Sequence, residues 1–286
     1  MPAETRQQLL ERFGLDKPLY MQYLLYLKGL LVGDLGHSFT KGSAVGPLLL
    51  GRLVNTLFLT LTAVILAFLV GPVIGAYLAW NRGTKIDDRG IGLILLLRGA
   101  PVFWTGMLAI MVFSFKLGWL PAGGMHSPTF ISDSFVEKFV SIDFLIHLIL
   151  PLTVTTLYYL SIPAFVMRNN MMEVLNADFI DLLRAQGIPE FKILYNHVAR
   201  NALLPVIHTA AVSIAFAFGG TVVIETVFTW PGVGRLLLNA ILNQDYPVAQ
   251  GGFIILAAMA IFMNFLADVV SVYVDPRATT GPEGVE

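Results

Sequence analysis

The sequence predicts an all-α membrane protein, a polytopic bundle with five transmembrane helices. Of its 286 residues, 56% are hydrophobic and only 13% are charged, whereas a soluble domain of this length usually carries about 25% charged residues. The mean hydropathy is +0.73. Five apolar segments are each long enough to cross a bilayer, which takes about 20 residues at ~1.5 Å per residue. These observations leave long stretches of chain with no charged face to present to water.

The five predicted spans form a transmembrane domain over residues 53–274. They cover residues 53–81, 91–115, 144–167, 201–224 and 246–274. Prolines lie in or near several of them, and transmembrane helices tolerate proline because neighbouring groups satisfy the freed backbone positions. In the first span Gly71 and Gly75 form a small-xxx-small pair, which we expect to let two helices approach closely.

Residues 1–52 differ from the spans in their pattern. Leu19, Tyr23, Leu27 and Leu30 recur at helical spacing, which predicts one amphipathic helix that packs on a surface of the membrane domain. A glycine-rich loop follows it. The first 17 residues mix charged with apolar side chains, so we expect no secretory signal peptide there.

The distribution of Lys and Arg predicts the orientation, because short cytoplasmic loops carry an excess of cations. One set of connections, the 81–90 and 167–200 loops and the tail 275–286, carries eight cations. The other set, the 116–143 and 225–245 loops, carries three. The C-terminal tail is therefore predicted to be cytoplasmic and the N-terminal segment extracytoplasmic. The six cations of that N-terminal segment are set aside because the rule applies to short loops near span ends.

Several classes of function are disfavoured by composition. The net charge of −1 gives no basic field for nucleic acid. The absence of cysteine excludes disulfides, thiolate metal sites and cysteine nucleophiles. The five histidines are scattered, so no metal site is predicted. The chain has no GxxxxGKS/T, HExxH or GxSxG motif, so we expect neither nucleotide hydrolysis nor another catalytic site in this chain.

The loop at residues 168–200 is the most informative stretch. Apolar residues at helical spacing predict a helix that ends at Gly187 and Pro189, and a second helix begins near Pro189. The product is a helix–Gly–helix projection whose charged residues include both acids and bases. One interpretation is an amphipathic hairpin on lipid headgroups, and the other is a docking surface for a protein. The even mixture of charges favours the docking surface, because anionic headgroups favour an excess of Lys and Arg.

This stretch resembles the cytoplasmic coupling loop of binding-protein-dependent ABC importer permeases, and most resembles those of the dipeptide, oligopeptide and nickel group. The resemblance is carried by Arg184-Ala185-Gln186-Gly187 and by the segment from His197 to Pro205. Residues 14–39, residues 225–251 and the closing Asp275-Pro276-Arg277 also resemble segments of that family. The resemblance covers essentially the whole chain.

The resemblance implies an ABC type I importer permease-like fold in a prokaryotic plasma (inner) membrane, and half of a pathway for peptides or similar small solutes. The implied partners are a second homologous permease, two cytoplasmic ATPase subunits, an extracytoplasmic solute-binding protein and the lipid bilayer. ATP and magnesium would bind in the ATPase, and no cofactor would bind in this chain. Two features depart from the family. We expect its first span to have no counterpart in this sequence, and Arg98 stands where the family has small or hydroxyl residues.

The resemblance also implies roles for individual residues. The coupling-loop candidates are Asp178, Asp181, Arg184, Ala185, Gly187, Ile188, Pro189, His197, Arg200, Asn201 and Pro205. Gly187 would permit the bend, Arg184 and His197 would make polar contacts to the ATPase, and Pro205 would mark the start of the next span. The candidates for the external gate and the binding-protein contact are Glu225, Phe228, Trp230, Pro231, Gly232, Asp245 and Tyr246. Residues 225–245 could equally be a re-entrant packing element with Trp230 as an interfacial anchor.

Three ionisable side chains within the spans, Arg98, His208 and Asp268, are candidates for the translocation pathway. The alternatives are snorkelling of Arg98 to the cytoplasmic surface and helix packing for the other two. A secondary transporter or channel subunit working without an ATPase is the rival function. It would predict paired broken helices and a buried coupling-ion site, and neither is evident in the sequence.

Overall fold

The computed structural model describes residues 16–131, 134–217 and 222–274, and these ranges consist of helices and short connections. The helices are α1 (Leu19–Leu31), α2 (Val45–Trp80), α3 (Lys85–Gly99), α4 (Val102–Ala109), α5 (Phe135–Val140), α6 (Ile142–Leu175), α7 (Asp178–Ala185), α8 (Glu190–Lys192), α9 (Arg200–Ala217), α10 (Val222–Val227), α11 (Val233–Leu242) and α12 (Tyr246–Val274). A π-helical stretch extends α4 over Ile110–Lys116, and another joins α8 to α9 over Ile193–Ala199. The predicted all-α class is confirmed. Residues 1–15 and the predicted tail 275–286 lie outside the described ranges.

Within the described residues, three helices are long and apolar enough to cross a bilayer, namely α2, α6 and residues Tyr246–Val269 of α12. The predicted second span, 91–115, is not one straight helix in the structure. It is divided between α3 and α4 with its π-helical extension, and the two halves meet at 99°. Pro101 explains the break, because a proline pushes the residue before it out of the helical conformation, and Ala100 is extended with ψ 130°.

The predicted fourth span, 201–224, corresponds to α9 and α10. The 18 residues of α9 measure about 27 Å along the helix axis. Residues 218–221, which separate the two helices, lie outside the described ranges.

The centre of the bundle is a parallel contact between α2 and α6. Phe58 of α2 packs on Phe144 of α6, with ring centroids 5.2 Å apart, and further along both helices Gly71 lies against Pro163. A Cβ atom on Gly71 would come within 2.6 Å of Pro163 Cγ, and one on Gly75 would overlap the carbonyl oxygen of Ala164. The predicted close approach of helices at these two glycines is confirmed.

The two sets of connections distinguished by their cation content converge at different ends of the bundle. At one end the guanidinium Nη1 of Arg82 donates to Oδ1 of Asn176 at 3.3 Å. This contact brings the 81–90 and 167–200 loops together. At the other end the backbone N–H of Gly124 donates to the carbonyl of Phe228 at 2.8 Å. That contact joins the 116–143 and 225–245 loops.

Helix α1 fully buries none of its side chains against the rest of the described chain. Leu19 and Tyr23, from the stripe predicted to pack on the membrane domain, are 82% and 62% exposed, whereas Leu30 of the same stripe is partly buried. Leu24 and Leu31, which lie outside that stripe, are also exposed. The packing of this helix on the membrane domain therefore stays a prediction.

Candidate functional site

The helix–Gly–helix projection sits beyond the end of α6, where α7 and α8 meet at a tight turn. Gly187 adopts a φ of +76°, and no atom lies within 4 Å of the position that its Cβ would occupy. Glycine is therefore favoured there by backbone conformation and not by space. The N–H of Gly187 donates to the carbonyl of Arg184 at 2.9 Å, and that of Ile188 donates to the carbonyl of Leu183 at 3.2 Å. This pair of bonds is a Schellman motif, so the predicted helix end at Gly187 is confirmed.

Arg184 connects the two sides of this turn. Its guanidinium donates to Glu190 at 2.8 and 3.3 Å and to Asp181 at 3.2 Å. The guanidinium holds the pKa of Glu190 below its usual range through these hydrogen bonds and its charge. All three side chains are substantially exposed, so the pairs contribute little to stability. They bridge the turn between α7 and α8.

The projection rests on a buried apolar cluster that joins it to the long helices. Ile180 of α7 and Ile193 and Val198 of the π-helical stretch are fully buried, and they pack with Met167 and Met171 of α6. Ala79 of α2 and Ala202 of α9 belong to the same cluster. A displacement of the projection therefore acts on three long helices through close-packed contacts.

The outer surface of the projection is apolar where the cluster does not cover it. We call Phe179, Leu182, Phe191 and Tyr195 the α7–α8 patch. These side chains are between 41% and 71% exposed, and the rings of Phe191 and Tyr195 stack with centroids 6.2 Å apart. An apolar patch rimmed by charged residues is typical of a protein-interaction surface. Sequence reasoning assigned no site role to Tyr195, although its spacing four residues after Phe191 indicates a shared helix face.

The remaining coupling-loop candidates surround this patch or follow it. Asp178, Asp181, Ala185, Pro189, Arg200 and Asn201 are exposed, whereas Ile188 and His197 are partly buried. Pro205 lies inside α9, which begins at Arg200, and its role at the start of a span stays a prediction. The helix extends well before this proline, because α9 follows directly on the π-helical stretch.

A buried ion pair joins the start of α3 to α6, and sequence reasoning missed it. Arg168 of α6 donates from Nε to Asp87 Oδ1 at 2.8 Å and from Nη2 to Asp87 Oδ2 at 2.7 Å. The Asp87 side chain is 4% exposed, and the N–H of Gly83 also donates to it. The pair fixes the start of α3 to α6. The acidic Asp87, just before the predicted second span, was the one hint of this pair in the sequence. Its partner Arg168 is 81 residues away along the chain.

At the other end of the bundle, Glu225 is completely buried. Its carboxylate accepts a hydrogen bond from the Thr56 hydroxyl at 2.6 Å and from the Arg235 N–H at 2.8 Å. Gly232 lies so close that a Cβ atom there would overlap the carboxylate. Glu225 and Gly232 therefore position the 225–245 segment against α2 and do not face a partner directly.

Phe228 and Trp230 are also fully buried. The indole N–H of Trp230 donates to the carbonyl of Asn55 at 3.0 Å, and the Asn55 amide donates to the carbonyl of Pro231 at 2.8 Å. The ring of Trp230 packs on that of Phe144, with centroids 5.9 Å apart. The alternative of Trp230 as an interfacial anchor is wrong because the side chain lies in the protein core.

Asp245 fastens the N-terminal segment to the turn between α11 and α12. It is 2% exposed and accepts hydrogen bonds from the hydroxyls of Ser38 and Thr40 and from the backbone N–H groups of Phe39 and Thr40. Burial opposes its ionisation, but these hydrogen bonds outweigh burial and hold the pKa of Asp245 below its usual range. Of the external candidates, Tyr246 is 60% exposed and free to contact a partner.

The three pathway candidates differ in their surroundings. The Arg98 guanidinium lies over the ring of Tyr158, 4.7 Å from its centroid. His208 and Asp268 are exposed on α9 and α12. The described residues hold no group of three or more His, Asp or Glu side chains that could hold a metal ion.

Comparisons with known proteins agree on the class of protein. A family model described as "binding-protein-dependent transport system inner membrane component" matches residues 71–280. The chain is 39% identical over 278 residues to the oligopeptide transport system permease protein AppB of Bacillus subtilis, covering 95% of this chain and 84% of that protein. It is 36% identical over 288 residues to the dipeptide transport system permease protein DppB of Escherichia coli, covering 96% and 85%.

Solved structures with the same fold include an inward-facing form of the MetNI methionine ABC transporter. The TM-score is 0.62 at 16% identity, covering 80% of this chain and 96% of that chain. A second is an amino acid ABC transporter, with a TM-score of 0.59 at 14% identity, covering 79% and 94%. At these identities the likeness supports the fold alone.

Proposed function

Because this chain belongs to the family of binding-protein-dependent transport system inner membrane components, it is an ABC importer permease of the inner membrane, and we propose that its substrates are peptides. The names of the relatives from B. subtilis and E. coli support that substrate class, since both are peptide permeases and this chain aligns over nearly its full length with each. A short peptide is a flexible solute with a charge at each end, which a mostly apolar pathway must accommodate.

We infer that the α7–α8 patch docks on a cytoplasmic ATPase. The observation that carries this inference is an exposed apolar surface fixed on a rigid turn, with Arg184 holding α7 and α8 together. The buried cluster beneath it joins α2, α6 and α9. A docking change at the patch would therefore tilt the spans and shift the population between two arrangements of the pathway. ATP and magnesium would bind in the ATPase.

The mixed charge around the patch supports a protein partner over a lipid surface. Asp178, Asp181 and Glu190 surround Arg184 and Lys192, so the projection has no excess of cations to attract anionic headgroups. On this proposal the ends of α2, α6 and α12 nearest the projection are cytoplasmic, as is the C-terminus. The segment around Tyr246 and helix α1 then face the extracytoplasmic solute-binding protein. A second homologous permease would complete the pathway.

The test is transport by the whole complex. This chain is co-expressed with its partner permease, two ATPase subunits and the binding protein, and the complex is reconstituted in liposomes. We expect uptake of a labelled di- or tripeptide that needs both ATP and the binding protein. Uptake that continues without ATP would contradict the proposal and favour a secondary transporter. ATP-dependent uptake of a different solute class, with no peptide transported, would contradict the substrate assignment alone.

A further inference from the structure

The packing of α3 on α6 places Arg98 well inside the bundle, far along both helices from the Asp87–Arg168 pair. Helix α3 runs antiparallel to α6, because Asp87 pairs with Arg168 and, eleven residues later, Arg98 meets Tyr158, ten residues before Arg168. Ten residues of helix measure about 15 Å, half of the ~30 Å hydrocarbon thickness. Tyr158 is also the midpoint of the 34-residue α6.

The guanidinium of Arg98 lies on the side of α3 that faces α6. Residues 87, 91, 94 and 98 follow the helical spacing that places side chains on one face. Asp87 and Ile94 of this stripe are buried. Arg98, the last of the four, contacts the ring of Tyr158 of α6. Leu93, Leu95 and Leu96 lie on other sides of α3 and are more than half exposed. Arg98 therefore ends the packed face of α3, at the point where the chain bends by 99° into α4.

This cation has no anionic partner within the described part of the chain. The ion pairs of residues 16–131, 134–217 and 222–274 do not include Arg98, whose guanidinium lies over the face of Tyr158. An arginine at the centre of a bilayer is costly unless it faces water or an anion. The Arg98 side chain is nevertheless exposed, because α3 ends at the next residue and the chain turns away.

We propose that Arg98 binds the C-terminal carboxylate of a peptide as it passes the middle of the membrane, with Tyr158 positioning the guanidinium. This proposal rests on the function proposed above. A guanidinium presents two parallel donors that match a carboxylate, and a C-terminal carboxylate is the one anion that every short peptide carries. The contact is brief, since a transport site must release what it binds. Arg98 thus favours solutes with a free C-terminus over those whose C-terminus is blocked.

The test compares two peptides in the reconstituted complex. ATP-dependent uptake is measured for an uncharged-side-chain tripeptide and for the same tripeptide as its C-terminal amide, with wild type and with Arg98→Gln. The ratio of the two rates is compared between the variants, because any preference of the binding protein is common to both and cancels. We expect the carboxylate-to-amide ratio to fall by about tenfold in Arg98→Gln, as for loss of one charged hydrogen-bonded contact.

The matched control is Arg89→Gln, which removes an exposed arginine near the start of the same helix and should leave the ratio unchanged. If Arg98→Gln slows both peptides by the same factor, or leaves both rates unchanged, the proposal is overturned. An equal slowing is also the result expected if a carboxylate of the second permease occupies Arg98.

A second variant tests the proposal if the Arg98→Gln complex does not assemble. Arg98→Lys keeps the charge but lacks the two-pronged donor, so the ratio should fall part of the way, and an unchanged ratio overturns the proposal. If the wild-type complex transports neither peptide, the proposed function fails and this proposal fails with it. ATP-dependent uptake of both peptides with no effect of Arg98 on the ratio overturns this proposal alone.

Discussion

Arg168 and Asp87 form a two-pronged ion pair in which only 14% and 4% of the side chains are exposed. Removing one member leaves the other charge buried and uncompensated, which in such pairs costs about 3–5 kcal/mol. We therefore expect Arg168→Met to lower the thermal unfolding midpoint of the detergent-solubilised protein substantially. Arg89→Met, which removes an exposed cation nearby, is the control and should change it little.

The double variant Asp87→Leu/Arg168→Met distinguishes pairing from packing. Without either charge, no uncompensated group remains, so the double variant should be more stable than the sum of the two single effects predicts. The measurement is the same unfolding midpoint. Additive losses would contradict the ion pair as the cause.

Gly187→Pro should leave the protein inserted in the membrane but uncouple it from ATP hydrolysis. Proline cannot adopt the φ of +76° found here, and it removes the N–H that donates to Arg184. The readouts are the amount of protein in the membrane and the substrate-stimulated ATPase activity of the full complex. Gln186→Ala, at the exposed neighbouring position, serves as the control. Normal stimulated hydrolysis and uptake in Gly187→Pro would contradict the coupling role.

Phe191→Ser and Tyr195→Ser should weaken the association with the ATPase subunits. Both rings are 71% exposed, so their replacement removes apolar contact area and leaves the buried cluster intact. Aromatic anchors at an interface commonly contribute about 2 kcal/mol or more, which corresponds to a loss of roughly thirtyfold in affinity. Recovery of ATPase with the tagged permease measures the effect, and Lys192→Ala is the exposed control. Full recovery with the double serine variant would exclude the patch as the docking surface.

Gly232→Ala should destabilise the end of the bundle around Glu225. The added methyl group would overlap the Glu225 carboxylate, which is fully buried and hydrogen-bonded. Overpacking of this kind costs about 1–3 kcal/mol. Gly51→Ala is the matched control, since nothing lies within 4 Å of its Cβ position and alanine favours helix. Equal unfolding midpoints for the two variants would contradict this prediction, because they would show that the 225–245 segment accommodates the methyl group without loss of stability.

Acidification should loosen the N-terminal segment through Asp245. Because its pKa is held below the usual range in the fold, it contributes stability above its unfolded pKa of about 3.9. That contribution is lost as the pH falls through the folded value. The unfolding midpoint of the wild type should therefore drop more steeply below about pH 4 than that of Asp245→Asn, which already lacks the ionised group. Asp16→Asn is the exposed control, and parallel pH curves for wild type and Asp245→Asn would contradict this account.

The spans and the helix end at Gly187 could be predicted because they depend on local pattern, such as hydropathy, glycine and proline. The break at Ala100 was missed although prolines in and near the spans were recognised, because proline inside a span kinks some helices and breaks others according to the packing around it. The buried, hydrogen-bonded roles of Glu225 and Asp245 could not be predicted from the sequence either. Their partners lie 169 and 205 residues away along the chain, so no local spacing indicates them.

The grouping of the loops and the position of Arg98 in its helix show the same difference between local and long-range information. The alternation of cation-rich and cation-poor loops predicted which connections meet at each end of the bundle, since charge near span ends is a local property. Arg98 lies 13 residues after the first residue of α3 but only seven residues after the start of the predicted span, because that span was set to begin at the first apolar residue. In the structure α3 begins at Lys85, six residues before the predicted span, and Asp87 is held inside the protein by Arg168.

The contact at Gly71 and Gly75 has a mechanical consequence. Helices α2 and α6 run in the same direction and touch there with almost no space between backbone and side chain. The apolar cluster beneath the projection lies toward one end of this contact, and Glu225 and Trp230 lie toward the other. Because α2 and α6 also pack together at Phe58 and Phe144, the two helices form one stiff unit along their length. A load applied at the projection is therefore carried by the pair to the end beside Glu225 and is not absorbed at one joint.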